Sequence, residues 1–276
     1  MRHIFLDGFP FKMEYAEKII KADADSVLSE ILGKIKSEAL SEVLVYNSRV
    51  LQGVFSPKYI TRSKMDIVKA KIGRFCKPAT FVKNDESNET LIKAFLDSSH
   101  NIIVKGERNM VERQVHLFDV FERIEYGLQG IKIGDVRLKQ VWYIYENDRI
   151  GKAIQMLHEN PVNALVVLDE KNEGSGIITH FDIIRNIHLY SYQRDYGQKS
   201  NTQSKAFKAE FVKLVSLPAL NFLKYKNPDE VSSNQKLSRA IELMVENETF
   251  NLLVKDKKSI ITAKDILRCY NERVSR

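Results

Sequence analysis

Cysteine is nearly absent: Cys76 and Cys269 are the only two in 276 residues, too few for a disulfide framework or a thiolate zinc cluster. Neither lies beside a histidine or in a Cys-x-x-Cys pair. Long apolar runs are missing too. None approaches the ~20 residues that a membrane helix needs, and the first residues carry no signal-peptide pattern. A soluble, cytoplasmic protein without a membrane partner is the expectation. The sequence also lacks Gly-x-Gly-x-x-Gly, a Walker loop, His-Glu-x-x-His and Gly-x-Ser-x-Gly. His180 and His188 are eight residues apart, a poor spacing for two ligands on one helix. No catalytic residue and no metal centre are expected.

What is present is ordinary for a globular chain. Hydrophobic residues make up 43% and charged residues 29%, enough apolar material for a real core. The 43 Lys and Arg outnumber the 36 Asp and Glu, a formal charge of +7 that favours anionic partners in general. At roughly 150 residues per domain, the length suggests about two.

Repetition is the informative signal. In the clearest copy, Glu146-Asn147-Asp148 leads into Ile150, Ala153, Ile154 and Leu157, the spacing of a helix with one buried face. Asn160-Pro161 stops it, and Ala164 to Leu168 is apolar at every position, as in a strand covered on both faces. A polar turn leads to Gly176-Ile177-Ile178, and Thr179-His180-Phe181-Asp182 opens a second helix. The same order recurs from Leu237 through Leu252-Leu253-Val254 to Thr262-Ala263-Lys264-Asp265, and from Leu91 through Ile102-Ile103-Val104 to His116-Leu117-Phe118-Asp119. A fainter copy runs from Leu28 through Val43-Leu44-Val45 to Ser56-Pro57-Lys58-Tyr59. The distance from helix anchor to second-helix start is 28, 25, 29 and 25 residues (Leu28 to Ser56, Leu91 to His116, Ile150 to Thr179, Leu237 to Thr262). Similar offsets and a recurring Ser/Thr-x-x-Asp element distinguish a repeat from the alternation that any α/β protein shows. Residues 190–208 are polar and aperiodic and read as a linker or mobile loop. The chain divides into two halves near residues 125–135, each of two units.

These residues resemble the CBS domain: a strand, a helix, an apolar strand, a Gly-led strand, then Thr/Ser-x-x-Asp opening a helix. Residues 141–182 match closely, 231–265 well, and the other two copies in part. The resemblance implies an α/β fold of four β-α-β-β-α units packed pairwise through their sheets into two Bateman modules. It implies domains at 1–72 (degenerate), 73–128, 129–190 and 191–276, the last including the linker. A chain of four such domains is similar to the gamma subunit of AMP-activated protein kinase and its archaeal relatives.

Thr-x-x-Asp at a helix start supports two readings. In one, Thr179 caps the helix while Asp182 complements the helix dipole and reaches back toward the exposed amides. In the other, hydroxyl and amides hold phosphate oxygens, and the carboxylate accepts hydrogen bonds from both ribose hydroxyls. The family implies the second for Thr179 with Asp182 and for Thr262 with Asp265. His116 with Asp119 keeps the carboxylate and exchanges the hydroxyl for imidazole, a surface histidine or a phosphate ligand. Ser56-Pro57 with Tyr59 lacks a carboxylate and reads as a helix start with Pro at its first position. The family places adenine between the first strand and the apolar strand, where Trp142, Tyr143, Asn163 and Ala164 stand; the two aromatics offer a stacking face or pack internally. Val166 and Leu253 occupy positions where the family usually has Pro, and the basic residues that grip phosphates in kinase-gamma-like sites are replaced by Asn163-Ala164 and Phe250-Asn251. Arg185 and Arg268 follow their aspartates by one helical turn, facing an anion or simply solvent.

The leading functional expectation is a non-catalytic regulatory protein. It binds AMP, ADP or ATP, with or without Mg²⁺, between paired domains and signals to another copy of the chain or a separate effector. A scaffold with decayed sites is the second. Nucleic-acid binding through Lys199, Lys205, Lys208 and Lys213 is the third, weakened by the lack of interleaved aromatics.

Overall fold

One order of elements recurs four times in the computed structural model, which describes residues 15–38, 42–61, 70–83, 87–107, 110–138, 141–160, 162–192, 214–223 and 230–274. Unit 1 has β1 (Ile20–Asp23), α1 (Leu28–Glu38), β2 (Val43–Asn47), β3 (Val50–Phe55) and α2 (Lys58–Thr61), with β4 (Cys76–Lys77) added beside β3. Unit 2 has β5 (Phe81–Val82), α3 (Asn88–Asp97), β6 (Ile102–Glu107), β7 (Met110–His116) and α4 (Leu117–Ile124). Unit 3 has β8 (Tyr143–Tyr145), α5 (Ile150–Glu159), β9 (Ala164–Leu168), β10 (Gly174–Thr179) and α6 (His180–Tyr192). Unit 4 has β11 (Glu230–Val231), α7 (Leu237–Glu246), β12 (Asn251–Val254), β13 (Ser259–Thr262) and α8 (Ala263–Val274). In every unit the first strand runs parallel to the second across the helix, and the second pairs antiparallel with the third. The long connection for the parallel pair and the short turn for the antiparallel pair follow from strand geometry.

Unit 3 shows why the sequence folds this way. Ile150, Ala153 and Leu157 form the buried stripe of α5. Asn160 ends the helix, its side-chain amide donating to the Met156 carbonyl at 2.8 Å. β9 is buried at all five positions. Leu165 and Val167 face helices, whereas Ala164, Val166 and Leu168 face Leu253 and Ile260 of unit 4. Each such aliphatic side chain contributes about 2 kcal/mol when fully buried.

The sheets of units 3 and 4 thus pack face to face, and those of units 1 and 2 do the same through Leu44, Leu51, Val54, Ile102 and Val104. The helical faces join the pairs crosswise. Unit 1 shares a core with unit 3, and unit 2 with unit 4. Every unit therefore has one neighbour across its sheet and another across its helices.

Short stretches that precede a unit in sequence dock on that unit's sheet partner. Leu28 N donates to Ala70 O at 2.8 Å, Ile150 N to Leu217 O at 2.8 Å, and Leu237 N to Ile131 O at 2.8 Å. These amides open α1, α5 and α7, and helix starts expose unsatisfied N–H groups. Arg149 and Lys236, the residues before α5 and α7, supply no side-chain cap. A carbonyl from elsewhere in the chain satisfies what local sequence leaves open.

One expectation changes. Residues 190–192 belong to α6 and not to a linker. The rest of the expected loop, with Lys199, Lys205 and Lys208, lies outside the described residues, as do Lys213 just past it and Pro161.

Candidate functional site

Thr179 closes β10 opposite Ala164, and Thr262 closes β13 opposite Asn251, so equivalent register brings each threonine to the start of a helix. The local geometry is nearly the same in both. The Thr179 amide donates to Asp182 Oδ2 at 2.8 Å and its hydroxyl donates to the same oxygen at 2.6 Å; the Asp182 amide returns to Thr179 Oγ1 at 3.3 Å. In unit 4 the corresponding distances from Thr262 and Asp265 are 2.9, 2.7 and 3.2 Å. This is a reciprocal cap, and it confines the threonine's bonds to one carboxylate oxygen.

The second oxygen separates the two units. Asp265 Oδ1 accepts Arg268 Nη1 at 2.6 Å, and the aspartate is 2% exposed. Arg268 therefore covers its own unit's carboxylate and does not stand toward solvent alone. Asp182 and Arg185 are both partly exposed.

Unit 2 departs further. His116 is buried and caps α4 by accepting the Phe118 amide at Nδ1, 3.3 Å away, so the surface-histidine expectation is overturned. Apolar neighbours close around it, Phe118 and Phe250 at 5.0 and 5.5 Å between ring centroids. Burial and the charge of Lys18 outweigh Glu42 and push His116 down to about 4, leaving a neutral ring at neutral pH. Asp119 accepts the His116 amide at 3.0 Å and also the backbone amides of Tyr15 and Ala16 at 2.9 and 3.1 Å. Burial raises Asp119 despite those three amides and Arg113.

In unit 1, Tyr59 takes the carboxylate's place and lies 3.4 Å from His100 Nε2 of unit 2. Around it is a polar cluster that the sequence does not announce. Glu42 and His100 are both buried, Nδ1 and Oε1 3.6 Å apart, and Glu42 Oε2 accepts the Asn101 amide at 2.7 Å. Burial pushes Glu42 up, but His100, Lys58 and the Asn101 amide outweigh it and hold the carboxyl below its ordinary range. Lys58 and Lys264 donate to the Ser99 and Ser98 carbonyls, and Thr61 Oγ1 meets His180 Nδ1 at 2.6 Å. The second-helix starts of units 1 and 4 thus meet around residues 98–99 of unit 2, and that of unit 3 touches the second helix of unit 1. These partners come from different units, so no spacing within one repeat could have paired them.

The adenine-side candidates are dispersed. Ala164 is buried between the sheets and Asn163 is exposed. Tyr143 is 43% and Trp142 39% exposed, so neither is sealed in the core. Within unit 3, β9 lies between Tyr143 and Thr179, so those two do not meet there. A polar groove of about 530 Å³ lies elsewhere, between units 1 and 2, lined by Lys21, Arg49 and Arg113 among others. It touches none of the Thr-x-x-Asp pairs. Among the described residues no group of three His, Cys, Asp or Glu could hold a metal ion. No helix there is long and apolar enough to cross a membrane.

Residues 133–189 match the model of the CBS domain family. A Methanocaldococcus jannaschii crystal structure, proposed as an archaeal homologue of g-AMPK, superposes with a TM-score of 0.74 at 16% identity, covering 91% of this chain and 96% of that one. An uncharacterised conserved protein from Pyrococcus horikoshii gives 0.54 at 17% identity, covering 83% and 91%. A second, uncharacterised Methanocaldococcus jannaschii protein is 22% identical over 227 residues, 76% of this chain and 49% of the relative, so the chain spans about half of its length. The fold is that of tandem CBS-domain proteins.

Proposed function

We propose that this CBS-domain chain is a non-catalytic regulatory protein that binds an adenine nucleotide, AMP, ADP or ATP, at the Thr-x-x-Asp helix starts of units 3 and 4. The observation that carries the reading is the near-identical bonding of Thr179 with Asp182 and Thr262 with Asp265. A carboxylate held by a threonine amide and hydroxyl is fixed in position before any sugar arrives. Fixed acceptors lose little freedom on binding. The relative proposed as an archaeal homologue of g-AMPK points the same way.

The two sites differ in burial: Asp182 is partly exposed, whereas Asp265 is buried and Arg268 must leave it before a sugar hydroxyl can enter. A ligand that bridges two units shifts their arrangement only by its difference in affinity for the two arrangements. The readout passes to a second copy of the chain or to a separate effector.

Isothermal titration with AMP, ADP and ATP tests this directly. Binding is expected with at least one of them, and Asp182→Ala should weaken it tenfold or more, the loss of a charged hydrogen-bond acceptor being worth about 1.5–3 kcal/mol. Asp265→Ala should have the smaller effect. Folded protein that takes up no adenine nucleotide would leave the chain as an interaction scaffold.

A further inference from the structure

The segment Tyr15–Lys18 reaches from unit 2 to unit 4, and what it does at Asp119 rests on reading these aspartates as sugar acceptors. We propose that the segment is an internal occupant of the second unit: Asp119 anchors the chain's own backbone in place of a ligand, closing this position and strapping unit 2 to unit 4.

The carboxylate of Asp119 is used on both sides. Oδ1 receives the Tyr15 amide and Oδ2 receives the amides of Ala16 and His116. Two consecutive backbone N–H groups presented to one carboxylate imitate the paired hydroxyl donors of a ribose. The Tyr15 ring then covers the position, stacked on His116 with centroids 5.7 Å apart and edge-on to Phe118 at 5.2 Å. The ring thus fills the space beside this helix start.

Contacts beyond Asp119 hold the segment down. Tyr15 Oη donates to the Val245 carbonyl at 3.2 Å, and Lys18 pairs with Glu248 at 2.9 Å, both partners lying at the end of α7 in unit 4. Gln114 of β7 donates to the Ala16 carbonyl at 3.3 Å. Tyr15 is buried, and that burial, with the charges of Glu248 and Asp119, raises its phenol to about 12. Unit 4 handles the same position differently. Strand pairing sets Lys21 against Leu44 and Tyr143 against Val166, so counting back from Tyr143 places Arg137 and Leu138 in register with Tyr15 and Ala16. Neither donates to Asp265, whose partners are Thr262 and Arg268. At Asp265, therefore, no such strap is made.

Hydrogen exchange at single-residue resolution on the full chain tests the idea. The Tyr15 and Ala16 amides should exchange at least tenfold more slowly in the parent than in Asp119→Ala, and saturating AMP should not accelerate them. Should Asp119→Ala fail to fold, Lys18→Ala, a half-exposed site, should still speed exchange at both amides several-fold. Equal exchange in parent and variant, or acceleration by AMP, would overturn the proposal, the second outcome meaning that the nucleotide displaces the segment. A chain that binds no nucleotide would refute the functional reading while leaving the exchange result to decide this one.

Discussion

His116 stands where units 3 and 4 have threonine, and its burial gives it a different consequence. Its imidazole is held at about 4 against an ordinary 6.5, so between those values the unfolded chain takes up a proton that the folded chain refuses. Stability from this group is therefore present above pH 6.5 and lost as pH falls toward 4. By pH 5 the loss is expected to reach about 2 kcal/mol. Glu42, held low, loses stability as pH falls below its ordinary range, while Asp119, raised, gains stability as pH falls toward its ordinary value. Urea midpoints measured from pH 7.5 to 5 should fall, and His116→Gln should flatten the slope. An unchanged slope in that variant would assign the titration to another group.

At the scale of elements, the hydrophobic pattern was sufficient to find most helices and strands but not what caps them. The stripe of Ile150, Ala153 and Leu157 is legible because a buried helix face repeats every three to four residues. That Leu217 supplies the carbonyl for Ile150 is not, since a backbone acceptor carries no residue type. β4 shows the cost of disturbing such a docked stretch. Gly53 in β3 lies so close to the Lys77 backbone that a Cβ would run into its carbonyl. Gly53→Ala is expected to destabilise by about 1–3 kcal/mol, as overpacking does. Urea denaturation checks the size, and a neutral result would mean that β4 moves aside freely.

At the scale of the whole molecule, each unit is held on two sides. Leu253 lies in the contact between the sheets of units 3 and 4, buried with Val166 and Ile260. Leu253→Ala should cost about 2–5 kcal/mol. Because the two cores formed by units 1 with 3 and 2 with 4 cross the sheet pairs, the loss should lower one shared unfolding transition. Scanning calorimetry resolving two separate transitions, with only one moved, would show that the modules melt independently. The same arrangement explains the cluster of Glu42, His100, Lys58 and Lys264, whose members come from three different units.

By itself the sequence determined the repeated unit, the apolar strands buried on both faces and the threonine-aspartate helix starts, because each depends on residues near one another in the chain. Only the tertiary structure decided which donors complete each carboxylate. Asp119, Asp182 and Asp265 have much the same local spelling, yet Tyr15 and Ala16 take the first, and Arg268 covers the third inside a buried site. A carboxylate's remaining lone pairs go to whichever donors the fold brings within about 3 Å, and that proximity is set by packing between units.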